Sequence, residues 1–319
     1  MTRPWTERET TASSQAFEFR VWAALTEQSR GQLHVFLPTA DRGVDGLLHR
    51  RIDGAYVLLQ AKDRSGLVDG EVKIVARANS LAHDDVVIVG GELVEGGMGP
   101  TTLVVPVPDF KHLANLSSDE GEPVYTMRFG MHPRSDSRWL LWLVPTERMA
   151  ERFGVSLEAV LEEAPAEPRA EWRSALGVLG ESEVVRHLTE AFDLNLFRPF
   201  PDNETVELAV LHLVTRRIVG LQIKTVEVSP GRLNATVDVY KSSFRPFPTT
   251  HFVVLGWHRD ESRFHEEFLL IPSMEIRDFG RDRGRHIEFQ FHADSTAKDR
   301  LRKYRHGLDE LRTLVSNLV

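Results

Sequence analysis

The stretch GVDGLLHRRIDGAYVLLQAKDR, residues 43–64, places an acid at Asp45 and the run Gln60-Ala61-Lys62 beginning 15 residues later. A second stretch, TVELAVLHLVTRRIVGLQIK at 205–224, places Glu207 at the same 15-residue distance before Gln222-Ile223-Lys224. One acid, one amide and one lysine therefore recur in register in both halves of the chain.

The register extends outward. Glu18 precedes Leu25-Thr26-Glu27 by seven residues, and Glu181 precedes Leu188-Thr189-Glu190 by the same seven. Beyond the lysines, the apolar runs Val86 to Val89 and Leu103 to Pro106 have counterparts at Phe252 to Leu255 and Leu269 to Pro272. A shared order of acid-bearing helix, acid strand, QxK strand and two later apolar strands points to duplication. The expectation is an α/β chain of two tandem domains, 1–157 and 174–319, each a mixed central β-sheet flanked by helices. The Ala-, Glu- and Pro-rich stretch 158–173 is the expected linker.

At 319 residues the chain is long enough for two cores of ordinary size. Its 41% apolar and 27% charged content is that of a globular protein. With no cysteine there is neither a disulfide nor a thiolate zinc site, which suits a reducing cytoplasm, the expected location. Apolar runs such as Trp139 to Val144 fall far short of the ~20 residues of a membrane helix. The opening MTRPWTERET lacks the apolar core of a secretory signal, so no membrane association is expected. No GxxxxGK[ST] loop and no GxSxG elbow occur, and the 13 histidines form no HxxxH or HNH-like cluster. Most of those histidines read as surface or core-edge residues rather than ligands.

The net charge of −8 argues against coating nucleic acid by bulk positive charge. Charge is uneven, however: from Arg277 to His306 the chain carries +4, leaving −12 elsewhere. That segment reads either as the solvated face of a C-terminal helix or as a phosphate-contacting stripe. Likewise, Tyr240-Lys241, the aromatics from Phe244 to Phe252 and the pairs Arg198-Pro199 and Arg245-Pro246 read either as a strand-stacking groove or as ordinary core and turn.

Within the first copy, Phe17, Val21, Ala24 and Leu25 recur at helical spacing, with Ser13 or Ser14 as cap. Strands are expected at Leu33 to Leu37, Val44 to Ile52 and Ala55 to Lys62, then a helix at Val72 to Leu81. Asp53-Gly54 is a strong signal for a two-residue hairpin turn. Such a turn sets Asp45 opposite Lys62, and strand alternation puts Gln60 on the same face. In the second copy an entry helix is expected from Gly180 to Ala191. There the turn at Thr215-Arg216 has no Gly or Asn, so a longer or distorted connection is expected.

A hard ion such as Mg²⁺ takes oxygen ligands, usually one or two carboxylates, a carbonyl and waters. Asp45, the Gln60 side-chain oxygen, the Ala61 carbonyl and Glu18 form such a set. Lys62, two residues past the amide, is on hand for an attacking water or a developing phosphate charge. These residues resemble the PD-(D/E)xK nuclease superfamily. GVDG with VLLQAKDR is similar to its Mrr-type restriction endonuclease subset, in which Gln replaces the first acid of the last motif. The resemblance covers residues 14 to 65 well and the rest in element order. It implies two restriction-endonuclease-like domains acting on DNA with Mg²⁺ (or Mn²⁺), in restriction, repair or anti-phage defence.

By the same resemblance Glu18 matches the helix acid, Asp45 the central metal ligand, Gln60 the secondary ligand and Lys62 the catalytic lysine. The matching set in the second copy is Glu181, Glu207, Gln222 and Lys224, with Glu207 and Gln222 as its metal ligands. It departs from the pattern: Glu207 replaces Asp, no glycines flank it, and Glu183 competes with Glu181. The first copy is therefore the one expected to be active. The alternative is a non-catalytic nuclease-fold module that binds nucleic acid or a protein partner; DNA is the expected partner, and a partner protein or homo-oligomer is a further option.

Overall fold

The computed structural model describes residues 7–40, 43–64, 67, 70–94, 97–119, 121–156, 171–200, 206–229, 234–242, 244–293 and 300–319, and their side chains except at 7–14, 63–64 and 171–175. The expected linker, up to its last three residues, lies outside them, as do the side chains of Ser13 and Ser14. The chain divides into two compact units, built mainly from residues 1–161 and 162–319.

The first unit contains α1 (Glu7–Ser29), β1 (Leu33–Pro38), β2 (Gly46–Arg50), β3 (Ala55–Arg64), β4 (Glu71–Arg77), β5 (Val86–Val94) and β6 (Gly97–Met98). It continues with β7 (Thr101–Pro106), α2 (Val107–Leu113), β8 (Asn115–Asp119), β9 (Glu122–Gly130) and β10 (Leu143–Pro145). Its main sheet runs β1-β2-β3-β5-β7-β10, with β6 pairing β5 off that path. The β3–β5 pair is parallel, whereas β1–β2, β5–β7 and β7–β10 are antiparallel.

Side-chain alternation divides the sheet into two faces. Leu33, Val35, Leu48, Leu59 and Ala61 pack against Phe17, Val21, Trp22 and Leu25 of α1. Gln28, near the end of α1, donates to the Thr146 carbonyl at 2.7 Å and accepts the Ala150 amide at 3.0 Å. That clamp brings Met149, Ala150 and Phe153 into the same core. A smaller sheet, β4-β9-β8, forms a separate layer.

The second unit contains α3 (Glu171–Thr189), β11 (Leu194–Phe200), β12 (Leu208–His212), β13 (Ile218–Val228), β14 (Asn234–Tyr240), β15 (Thr250–His258) and β16 (Arg263–Pro272). After these come α4 (Ile276–Phe279), β17 (Arg281–Asp282), β18 (His286–His292), β19 (Arg305–Gly307) and α5 (Leu311–Leu318). Its main sheet runs β11-β12-β13-β15-β16-β19 and its smaller sheet β14-β18-β17. The β13–β15 pair is parallel and occupies the place that β3–β5 holds in the first unit. Leu221 and Ile223 pack with Val184 and Leu188 of α3 and Leu311 and Val315 of α5. Val226, Phe252 and Val254 pack instead with Val237 and Val239 of β14 and Ile287, Phe289 and Phe291 of β18.

Four expectations are corrected. The helix expected over Val72 to Leu81 is strand β4 followed by a short 3-10 turn at Ala78–Leu81. Val72, Ile74 and Ala76 alternate inward with period two, and that alternation prevails over the helical reading. Helix α1 begins at Glu7, ahead of the expected serine cap, and α3 begins nine residues before Gly180. The C-terminal helix lies beyond the basic segment, whose described residues form α4, β17, β18, a 3-10 turn and β19. Within that segment the Arg305 side chain is 4% exposed and bonds Glu267 at 3.1 Å and the His292 carbonyl at 2.6 Å.

The fourth correction is the first hairpin. Residues 51–54 all lie in the turn, so it has four residues rather than two. Asp53 and Gly54 do form its far end: Asp53 Oδ1 accepts the Ala55 amide at 3.1 Å, and Gly54 has φ +71°. Arg51 is drawn out of the ladder because its amide bonds the Gln32 carbonyl at 2.9 Å and its guanidinium the Gly31 carbonyl at 2.8 Å. In the second unit the connection is five residues long, 213–217, with Arg216 at φ +60°. His212 Nδ1 accepts the Val214 amide at 3.1 Å there, a side-chain bond doing what a turn glycine does elsewhere.

Candidate metal-binding acid, amide and lysine site

Asp45 stands one residue before β2. Gly43 has φ +79°, a conformation open to glycine, and turns the chain into this position. A Cβ at Gly46 would meet the Trp22 ring at 2.8 Å, so the glycine after the acid lets β2 lie close to α1. The two glycines of GVDG thus have separate structural causes.

The Asp45 amide donates to the Leu59 carbonyl at 3.0 Å, and its carboxylate Oδ2 accepts the Ala61 amide at 2.8 Å. Those two bonds flank Gln60, so Asp45 lies across from Gln60 rather than Lys62, two residues from the expected partner. The four-residue turn accounts for the shift. Gln60 is 3% exposed, and its Oε1 is shielded from water without a hydrogen-bond partner. Lys62 is half-buried two residues along the same strand face.

The second unit repeats the lock. The Glu207 amide donates to the Leu221 carbonyl at 3.0 Å, and Glu207 Oε2 accepts the Ile223 amide at 2.9 Å. Both carboxylate-to-amide bonds span 16 residues. Here the other oxygen, Oε1, meets Lys224 Nζ at 3.4 Å. Burial pushes the Glu207 carboxyl above its ordinary range, while the Lys224 ammonium and the Ile223 amide pull it back. Gln222 is buried beside them in sequence, at 4% exposure.

Glu18 and Glu181 are both half-buried, on α1 and α3. These helices cover the Leu59/Ala61 and Leu221/Ile223 face, opposite to the one onto which Gln60, Lys62, Gln222 and Lys224 alternate. Glu183, the competitor of Glu181, is engaged by Arg186 at 2.7 Å and His187 at 3.2 Å, and the Arg186 bond holds its carboxyl below the ordinary range.

Sequence reasoning missed two things. The Ala61 and Ile223 amides are the anchors of the acids, and a backbone group leaves no residue-type signal; only the repeated spacing records it. The second is a buried aromatic group in the first unit, where His49 stacks on Tyr56 with centroids 4.6 Å apart and His34 lies 6.4 Å from His49. His34 and His49 are core residues, not surface ones. Burial, with Arg51 and His49 adding to it, lowers the His34 pKa to about 3. Phe244 and Phe252 are likewise buried, rings 6.0 Å apart, which makes that pair core rather than a base-stacking groove.

No family model matches the chain, and no curated protein does. Among solved structures, the chain is similar to a bacterial homing endonuclease, I-Ssp6803I, at 13% identity and a TM-score of 0.32. That likeness covers 45% of this chain and 91% of the endonuclease. No described helix is long and apolar enough to cross a membrane.

Proposed function

We propose that the first unit carries a metal-dependent nuclease site that hydrolyses DNA phosphodiester bonds, and that the second unit is a diverged copy of it. The observation that carries this reading is the repeated lock: Asp45 on the Ala61 amide and Glu207 on the Ile223 amide, at 2.8 and 2.9 Å, on the same pair of strands in each unit. The matching strand order of the two main sheets supports descent from one domain.

The donor set suits a hard divalent ion. Asp45 is held by the Ala61 amide, and the shielded Gln60 Oε1 has no donor to satisfy it, an arrangement costly unless a ligand completes it. Asp45, Gln60 and the Ala61 carbonyl would hold the ion, whereas Glu18 sits on α1 over the opposite face of the sheet. Mg²⁺ or Mn²⁺, when bound, lowers the pKa of a coordinated water and neutralises phosphate charge. Lys62 offers its ammonium to the developing charge on the phosphate. In the second unit a longer acid, Glu207, replaces Asp and no glycines flank it, which supports a diverged copy in which Glu207 is held by Ile223 and Lys224. Restriction, repair or anti-phage defence is the setting that fits such an activity. With a net charge of −8, DNA must be held by local cations or by a partner protein.

Cleavage of plasmid DNA with Mg²⁺ or Mn²⁺ tests this. Wild type and Lys224→Ala should cut, whereas Lys62→Ala and Asp45→Asn should lose at least ~100-fold in rate, each variant being checked for folding by circular dichroism. Equal cleavage by wild type and Lys62→Ala, or none by wild type, removes the proposal.

A further inference from the structure

We infer that the outer face of the β14–β18 pair carries a site for a divalent transition ion of the zinc class, formed by Asp238, His286 and Glu288. The two strands are antiparallel, with Asp238 opposite Glu288 and Tyr240 opposite His286. The alternate residues Val237, Val239, Ile287 and Phe289 are buried, so the three polar side chains share the outward face.

Two carboxylates set directly opposite each other repel, and sheets ordinarily avoid the pairing. The neighbouring outward pair is complementary: Gln290 donates to Thr236 at 3.0 Å. At Asp238 and Glu288 the ladder instead puts acid on acid, with an imidazole on the diagonal. One ligand atom from each of the three residues falls within a sphere of mutual distances no larger than 4.8 Å. His286 Nε2 and Asp238 Oδ1 are 3.3 Å apart, close to the ~3.4 Å edge of a tetrahedron whose bonds are about 2.1 Å.

Asp238 Oδ1 is itself shielded from water, and the polar group beside it is the His286 nitrogen at 3.3 Å. An oxygen so placed gains more from a cation than from solvent. The cations facing the group are Arg283, 3.3 Å from Glu288 Oε1, and Arg281, opposite Glu288 in the ladder. Arg283 engages one oxygen of the carboxylate, and the group has a second. Lys241 is held by Asp282 at 2.6 Å.

One imidazole nitrogen and two carboxylate oxygens favour Zn²⁺, Co²⁺ or Ni²⁺ over Mg²⁺, which prefers an all-oxygen shell. Three protein ligands leave a fourth position for water. The ion would cross-link β14 to β18 and neutralise the opposed acids.

The test is calorimetric titration of the full chain with Zn²⁺ and, separately, Mg²⁺, together with Co²⁺ absorption in the visible. Wild type should bind one Zn²⁺ lost or weakened at least tenfold in His286→Ala and in Glu288→Gln, and should show a Co²⁺ spectrum of low coordination number. Asp45→Asn should leave this binding unchanged, which separates it from the proposed nuclease site. Should His286→Ala not fold, Asp238→Asn is the second variant, with a Zn²⁺-induced rise in Tm seen in wild type alone. Undiminished Zn²⁺ binding in His286→Ala or Asp238→Asn, or no binding by wild type, overturns the inference.

Discussion

Asp45 accepts the amide of Ala61 at 2.8 Å, fastening the residue that leads into β2 to the middle of β3. Ala61 is buried, so its N–H has no water to fall back on when the acceptor goes. Asp45→Ala should therefore cost about 1–3 kcal/mol of stability, the penalty of an unsatisfied buried donor. Asp45→Asn keeps an acceptor oxygen and should cost less. Urea unfolding of the three proteins orders them; equal midpoints for Ala and wild type would refute the role given to this bond.

The Glu207–Lys224 pair gives a prediction with a sign. Because burial raises the Glu207 pKa in the fold, the folded chain holds its proton to higher pH than the unfolded chain does. Its contribution to stability is thus greatest at acid pH and is lost as pH rises through the raised pKa. Relative to Glu207→Gln, wild type should lose ground on going from about pH 4 to pH 8. Lys224→Met removes the ammonium that opposes the shift and should steepen that loss. Denaturant unfolding across the range reads the difference directly.

His34 behaves in the opposite sense. Its pKa is about 3 in the fold against 6.5 ordinarily, so the unfolded chain takes up a proton that the folded chain refuses. Its contribution is present above pH 6.5 and is lost as pH falls towards 3. Replacement by Leu should flatten the acid limb of the stability curve between those values; an unchanged limb would show that His34 is not its source.

Gly180 marks where α3 meets β13. A Cβ there would stand 1.8 Å from Thr225 Oγ1 and 3.1 Å from Thr225 Cβ, so the helix must lift or Thr225 must turn. Alanine in a helix interior gains up to about 1 kcal/mol over glycine. Overpacking costs about 1–3 kcal/mol, and the balance should be destabilising. A higher Tm for Gly180→Ala would contradict the close contact, and Gly180→Ala with Thr225→Ala, which removes the clashing Oγ1, should recover part of the loss.

How far the site was legible can be followed residue by residue. Leu59 and Ala61 against Gln60 and Lys62 is a period-two pattern, and alternation alone assigned them to opposite faces. The Asp53-Gly54 turn was also visible, but its length was not, because Arg51 leaves the ladder for the carbonyls of Gln32 and Gly31, which are near only in the folded chain. Those two bonds moved the partner of Asp45 from Lys62 to Gln60. The stretch Val72 to Leu81 failed for another reason: its short apolar run suits a helix or a strand, and pairing with β9 decided for the strand.

By itself the sequence determined the two acids, the two QxK strands and their common spacing, because those are properties of order along the chain. The apolar alternation also determined which side chains of β3 and β13 point together. Only tertiary structure decided the register of Asp45 and the engagement of Glu207 by Lys224. It alone also set Asp238 and Glu288 opposite each other with His286 on the diagonal. Each of these depends on which strand lies beside which and where a turn ends, and a turn ends where distant backbone groups find their hydrogen bonds.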